Sequence, residues 1–344
     1  MTNELTSTGS GADETGRRVT DGNVLALDLG ASRIRVAVVT PDGRVIARDE
    51  ARTPGADGPA GVVAACIERL RAVAAAAARD GAAPPVGIGI SAVGPLDAKN
   101  GILVDPPNVG PGFRNVAIST PVADALDLPV SLERDTNVAA LAEQTYGAAR
   151  GATDFLYLTV STGIGGAIVA DGELYLGPDG VAGEIGHIPV ALDAPPCGCG
   201  GAGHLEATSA GSGIARQARL AIEAGRAPGL ADLAARLAPA TLEARDVAAA
   251  EDAGDPDAAA IMELARRSFA AATVGLVNVF NPQLIVVGGS LARAQGDRWL
   301  GPARREVERV AFTIARRRVR IVPAALGDDV GLIGAQPLLG LHER

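Results

Sequence analysis

A strand, a glycine-bearing turn and a second strand occur twice in this chain, once in each half, and no other feature limits the fold as much. The first copy is VLALDL, GAS and RIRVAVV, starting at Val24; the second is DFLYLTV, STGIGG and AIVADG, between 154 and 172. Short apolar runs bounded by Gly and Ser read as buried strands joined in a hairpin. The first turn carries Asp28, Gly30, Ser32 and Arg33, and the second Thr162, Gly163, Gly165 and Gly166. Two copies imply an internal duplication.

Each turn presents backbone N–H groups and a hydroxyl, which is what a phosphate chain needs where no helix-terminal cradle exists. A plain β-turn leaves the same trace, but one such turn per half favours phosphate. Neither turn is a Walker loop or a GxGxxG dinucleotide fingerprint. Lys99 is the only lysine, so a cation touching phosphate has to be an arginine or a bound metal.

Four of the six cysteines and histidines lie close together, as His187, Cys197, Cys199 and His204. They supply the donors of one tetrahedral zinc, and with all four positions filled the metal is expected to be structural. A Cys197–Cys199 disulfide would need a Cα separation and dihedral that one intervening residue hardly allows, and free thiols in a glycine-rich turn are the bland alternative. Gly198, Gly200, Gly201 and Gly203 let the backbone curl around an ion. Glu184 and Glu206 flank the cluster without belonging to the four-ligand set, and read as ligand-binding carboxylates. Cys66, inside the apolar VVAACIERL, reads as a buried small hydrophobe.

At 344 residues the chain is long for one core, and 47% hydrophobic residues give ample material to bury. Its formal charge of −9 speaks against nucleic acid or an anionic membrane as partner. No stretch reaches the ~18 apolar residues of a membrane span. Residues 1–22 lack the apolar core of a secretory signal and read as a disordered tail. A cytoplasmic protein handling small molecules is expected.

Between the two repeats come an Ala-rich helix over about 60–80, the strand VGIGI, and an irregular LVDPPNVGPGF, in which Asn108 could recognise vicinal hydroxyls or form an Asx-turn. In ERDTN, Asp135 falls at a strand-to-helix junction, the place of an N-cap. The positive end of the helix dipole favours an ionised carboxylate there, as a general base requires. Gly288 and Gly289 end the strand of NPQLIVVGG, allowing close ligand approach or a tight turn. An arginine-rich helix and a final segment follow, and Pro337 should bend or interrupt any helix in that segment.

These residues together resemble the ROK group of sugar kinases and sugar-responsive repressors. The resemblance runs from about Val24 to Leu339 and rests on GEIGH, CGCGGAGHLE, DLGAS, STGIGG, PPN, ERDTN and VVGG in family order. It implies an α/β protein of the actin-like ATPase (ribonuclease H-like) fold, with two α/β domains around a central cleft: 23–133 with 329–344 packing back on it, and 134–328 with the zinc loop 187–204. It implies Mg-ATP across the turns, held by Asp28, Gly30, Ser32, Arg33, Thr162, Gly163, Gly165, Gly288 and Gly289. Asp135 would be the general base on a hexose hydroxyl, O6 of glucose or a related hexose or N-acetylhexosamine. Asn108, Asp135, Glu184, His187 and Glu206 would contact the sugar, and a homodimer or homotetramer is implied. The chain departs from the family pattern at His204, where a cysteine is typical, and at DLGASR, Ser161 and Arg134. A non-catalytic sugar sensor is the alternative; a repressor would need a DNA-binding module.

Overall fold

The computed structural model describes residues 20–106, 109–191 and 195–340. The chain divides into two compact units, one made of residues up to 153, 176–181 and 325 onward, the other of 154–175 and 182–324.

In the first unit, strands β1 (Asn23–Leu29), β2 (Arg33–Val39), β3 (Val45–Arg52), β4 (Pro85–Ala92) and β8 (Val130–Arg134) form a sheet in the order β3-β2-β1-β4-β8. β1, β2 and β3 are antiparallel, whereas β4 and β8 run parallel to β1. Short strands β5 (Leu96–Asp97), β6 (Ile102–Leu103) and β7 (Val116–Ala117) make a separate ladder.

Both faces of this sheet are covered, so β1 reads as a continuous apolar run and not as an alternation. Leu25, Leu27 and Leu29 share a core with Val62, Cys66, Leu70 and Val73 of α1 (Gly58–Arg79) and Val122 of α2 (Ser119–Leu126). Val24 and Ala26 meet Leu332, Ala335 and Leu339 of α12 (Val330–Ile333) and α13 (Ala335–Leu339). VGIGI shows the same division, with isoleucines toward α1 and glycines toward α13. A Cβ on Gly89 would stand 2.6 Å from the Ala335 Cα.

The break between α12 and α13 falls at Gly334, where a Cβ would lie 2.3 Å from the Val138 carbonyl oxygen. It does not fall at Pro337, which sits buried in the first turn of α13, where its missing N–H costs nothing.

The second unit repeats the plan. β9 (Phe155–Val160), β10 (Ile164–Ala170), β11 (Glu173–Leu174), β12 (Leu284–Gly288) and β13 (Arg320–Pro323) are ordered β11-β10-β9-β12-β13. Three strands are again antiparallel, and two are parallel to the first. The duplication seen in the sequence is therefore one of topology. Around this sheet lie α4 (Leu205–Ser209), α5 (Gly211–Glu223), α6 (Pro228–Leu237), α7 (Ala244–Asp252), α8 (Pro256–Phe280), α9 (Ser290–Gln295), α10 (Asp297–Val310) and α11 (Thr313–Arg318).

Helix α3 (Asp135–Tyr146) groups with the first unit, although the sequence expectation begins the second domain at 134. Glu143, fully buried, explains why. Its carboxylate accepts the N–H of Ala148 at 2.7 Å and those of Ala325 and Leu326 at 2.9 Å, pinning the returning chain to α3. Of the expected 1–22 tail, residues 1–19 lie outside the described residues; Thr20 is held, its hydroxyl donating to Gln336 at 2.8 Å.

Candidate active site and metal centre

In the first unit, β1 and β2 are joined by Gly30, Ala31 and Ser32, with the Gly30 N–H donating to the Arg33 carbonyl at 2.9 Å. Asp28 and Arg33 are therefore strand residues and not turn residues. Asp28 lies opposite Arg35 in the register and is ion-paired with its guanidinium, while the Ser91 hydroxyl donates to the other carboxylate oxygen at 3.2 Å. Arg33 points to Glu50 at 2.8 Å with both side chains largely in solvent, a pair that contributes little. Thr53 secures the turn, its hydroxyl donating to the Gly30 carbonyl at 2.8 Å. Ser32 is exposed.

Asp135 stands one residue inside α3. The cap position belongs to Arg134, extended at φ −62° and ψ 144°, so the N-cap expected at Asp135 is shifted by one residue. The carboxylate still sits in the first turn, where its Oδ1 accepts the Thr136 N–H at 2.7 Å. Asp135 is exposed although Glu133, Arg134, Thr136 and Asn137 are all buried. Glu133 makes that possible: its Oε1 accepts the Arg134 N–H at 2.7 Å and an Asn137 amide hydrogen at 3.0 Å, fixing the junction from beneath. Asn108 lies outside the described residues.

In the second unit, the turn between β9 and β10 is Ser161, Thr162 and Gly163, closed by the Ser161 N–H on the Gly163 carbonyl at 2.9 Å. Gly165 and Gly166 are in β10, paired with Thr159 and Leu158, and so do not form the bend. Gly166 is small because Ile185 crosses it; a Cβ would come 2.5 Å from the Ile185 Cδ1. Gly289, at φ 94°, abuts the Val160 backbone, whose carbonyl oxygen would be 2.3 Å from a Cβ. Ser161 and Ser290 share a hydroxyl–hydroxyl hydrogen bond at 2.8 Å. The β9–β10 turn and the Gly288–Gly289 strand end, far apart in sequence, therefore form one locale.

The metal donors also converge. One ligand atom from each of His187, Cys197, Cys199 and His204 lies within 4.8 Å of all the others. Cys197 Sγ is 3.8 Å from His187 Nδ1, and Cys199 Sγ is 3.3 Å from His204 Nδ1. Zinc with ordinary Zn–S and Zn–N lengths in tetrahedral geometry separates S from N by about 3.6 Å, so the donor set fits such an ion. Gly201 is small because His204 occupies its Cβ space, with Cε1 2.4 Å away.

Burial pushes the Cys197 thiol up; the Cys199 backbone N–H works against this, while the Cys199 thiol and the Glu206 charge add to it. A divalent cation is what would make this crowded group anionic.

The two glutamates differ. Glu184 is exposed and faces the ring nitrogen of His187 that the thiols do not, with Nε2 3.9 Å from its Oε2. Glu206 turns toward the β9–β10 turn, where its Oε2 accepts the Ile164 N–H at 3.0 Å, and its Oε1 lies 3.9 Å from the Cys197 sulfur. A Cβ at Gly163 would lie 2.8 Å from Glu206 Oε2, so a larger residue there would push that carboxylate aside.

Sequence reasoning missed Arg35, Ser91, Thr53, Glu133 and Ser290. Only Arg35 had a usable signal, because the hairpin register sets it opposite Asp28 once the turn length is known.

Two sheets of identical strand order and sense, each opening on a hairpin with a tight turn, define the actin-like ATPase fold. A model described as the ROK family matches residues 24–340, and the chain belongs to the ROK family. It is 31% identical to a glucokinase of Thermotoga maritima over 92% of this chain and 96% of that one. It is likewise 31% identical to an N-acetylmannosamine kinase of Escherichia coli, over 90% and 96%. The crystal structure of a ROK family glucokinase from Streptomyces griseus in complex with glucose and AMPPNP matches at a TM-score of 0.75 and 30% identity, covering 92% of this chain and 99% of that one.

Proposed function

We propose that this protein is an ATP-dependent sugar kinase that transfers the terminal phosphoryl group of Mg-ATP to a hydroxyl of a hexose, O6 of glucose or of a related hexose or N-acetylhexosamine. The observation that carries this reading is Asp135: a carboxylate exposed at the start of α3 while the residues on either side are buried. A solvent-facing carboxylate on a rigid, internally bonded junction is placed to accept a hydroxyl proton. The near-complete overlap with relatives named as glucokinase and N-acetylmannosamine kinase supports the substrate class.

In the proposed step the bond from the terminal phosphorus to the bridging oxygen of ADP breaks as the sugar oxygen bonds to phosphorus. The hydroxyl proton passes to the Asp135 carboxylate. Such a loose transfer depends mainly on in-line placement and charge neutralisation. The turns at Gly30–Ser32 and Ser161–Gly163, with Gly288 and Gly289, are assigned to the nucleotide.

Magnesium would supply charge neutralisation on the phosphates. Asp28 would hold it, since each of its oxygens keeps acceptor capacity beside Arg35 and Ser91. Zinc, held by His187, Cys197, Cys199 and His204, would be structural. Metal on His187 Nδ1 would fix the imidazole, freeing Nε2, with Glu184, for sugar hydroxyls. Glu206 serves as a second sugar acceptor.

A coupled ADP-release assay over a panel of hexoses tests this, with Asp135→Asn as control. Sugar-dependent ADP formation that collapses in the variant is the expected result. Absence of sugar-stimulated ADP, or an unimpaired variant, would overturn the reading.

A further inference from the structure

The arginine-rich stretch of the second unit has no part in the proposed reaction. Residues 301–320 hold seven arginines against two glutamates, in a chain whose formal charge is −9. Three of those arginines meet at one cavity. Arg304 of α10, Arg316 and Arg317 of α11, and the apolar Val307, Val319 and Ile321 line a hollow of about 520 Å³, a volume typical of small-molecule sites.

Backbone carbonyls hold two of the three guanidinium groups in place. Arg304 Nε donates to the Ile321 carbonyl at 2.9 Å. Arg316 Nη1 donates to the Glu308 and Arg309 carbonyls, at 3.0 and 3.1 Å, at the carboxyl end of α10. A guanidinium has five N–H donors, so both groups are fixed and still have donors to give. Arg317 makes no hydrogen bond or ion pair among the described residues. Cations are favoured at a helix carboxyl end, but Arg318, which is not on the lining, already meets that need in the last turn of α11. Three like charges around one hollow repel each other, and an anion between them would relieve the repulsion.

Charge and floor define that anion. Exposed Glu308 is the one acid on the lining, which leaves a net of two positive charges. A phosphate monoester carries nearly two negative charges near pH 7, and its oxygens match the planar fork of arginine. Val307 and Ile321 are buried and Val319 is half-buried, so the organic part of the ligand would rest on an apolar floor. The cavity is also set apart from the nucleotide turns. Ile321 lies near the amino end of β13, paired with Ile285, three residues before the Gly288 that ends β12.

We propose that this cavity binds a small phosphate monoester with an apolar body, its phosphate on Arg304, Arg316 and Arg317 and its body on Val307, Val319 and Ile321. The proposal does not depend on the proposed activity.

Isothermal titration of the full chain with phenyl phosphate, and separately with inorganic phosphate, at one fixed ionic strength tests it. Phenyl phosphate is expected to bind at least ~10-fold more tightly than inorganic phosphate, because its ring leaves water for the apolar floor. Arg316→Gln and Arg317→Gln should each weaken phenyl phosphate at least ~10-fold, as expected for a lost hydrogen bond between charged groups. Arg317→Gln removes no internal partner, so its circular dichroism and thermal unfolding without ligand should match the wild type. Arg305→Gln makes the same change of charge at an exposed residue outside the lining and should leave binding nearly unchanged. No binding of phenyl phosphate up to millimolar concentration would overturn the proposal, as would equal affinity for the two probes. So would equal losses in Arg305→Gln and Arg317→Gln, which would reduce the effect to general surface charge.

Discussion

The carboxylate of Glu206 accepts the backbone N–H of Ile164 at 3.0 Å, so one side chain joins the loop of metal donors to the β9–β10 turn. From the sequence, the metal loop and the nucleotide turns look independent, and chelation should weaken sugar binding while disturbing the turns less. The hydrogen bond couples them.

Zinc removal is therefore expected to impair both substrates. The purified protein should carry one zinc per chain by metal analysis, and Cys197→Ser should carry much less. Chelation should raise the KM for sugar and also that for ATP. A preparation with no bound metal, or a chelated enzyme with unchanged KM values, would refute the assignment.

Glu206 itself separates the two roles. Glu206→Gln keeps a carbonyl oxygen for the Ile164 N–H and should mainly raise the sugar KM. Glu206→Ala leaves that N–H without its partner, a loss of about 1–3 kcal/mol, and should raise the ATP KM as well. Steady-state kinetics with each substrate varied in turn will read the difference.

Replacement of Asp135 by Asn should lower kcat by about 10²–10⁴-fold, the usual contribution of a general base. The melting temperature should hardly change, because an Asn oxygen can still accept the Thr136 N–H that Asp135 accepts at 2.7 Å. A large fall in melting temperature would point instead to a structural role.

The three cysteines should differ in reactivity. Burial pushes the Cys66 thiol up to about 12, so at pH 8 it is protonated as well as inaccessible, and only unfolding should let iodoacetamide reach it. Cys199 is exposed and should react once zinc is stripped. Mass spectrometry of alkylated protein with and without chelator distinguishes them; Cys66 labelling in the folded state would contradict the structure.

Glu143→Ala should strongly destabilise the first unit. It strands three backbone N–H groups that a fully buried carboxylate now satisfies. A loss of at least ~3 kcal/mol is expected, visible as a lower urea midpoint.

What could be read in advance follows from locality. Paired strand–turn–strand units, the Ala-rich α1 and the metal donors are encoded within short windows, by periodicity or by residue type, and appear where the sequence put them. The bends are one example of what escaped. Gly165 and Gly166 suggest a turn, but both lie in β10, and Gly166 is small because Ile185 and Gly183 cross the strand there, a contact made from residues well downstream. Glu143 looks like an ordinary surface acid in a helical region; its burial depends on the Ala325 and Leu326 N–H groups, which only the assembled fold supplies. The N-cap at Asp135 missed by one residue because the extended residue at the junction is the buried Arg134, whose charge gives no local hint of that position.

The placement of α12 and α13 over Val24, Ala26, Ala37 and Val39 has a consequence for biosynthesis. Those side chains leave the ribosome early, and their cover is made roughly 290 residues later, tens of seconds at ordinary elongation rates. During that interval the nascent first unit carries a bare, oily sheet surface, and a message cut short before codon 325 would yield a product that keeps it permanently.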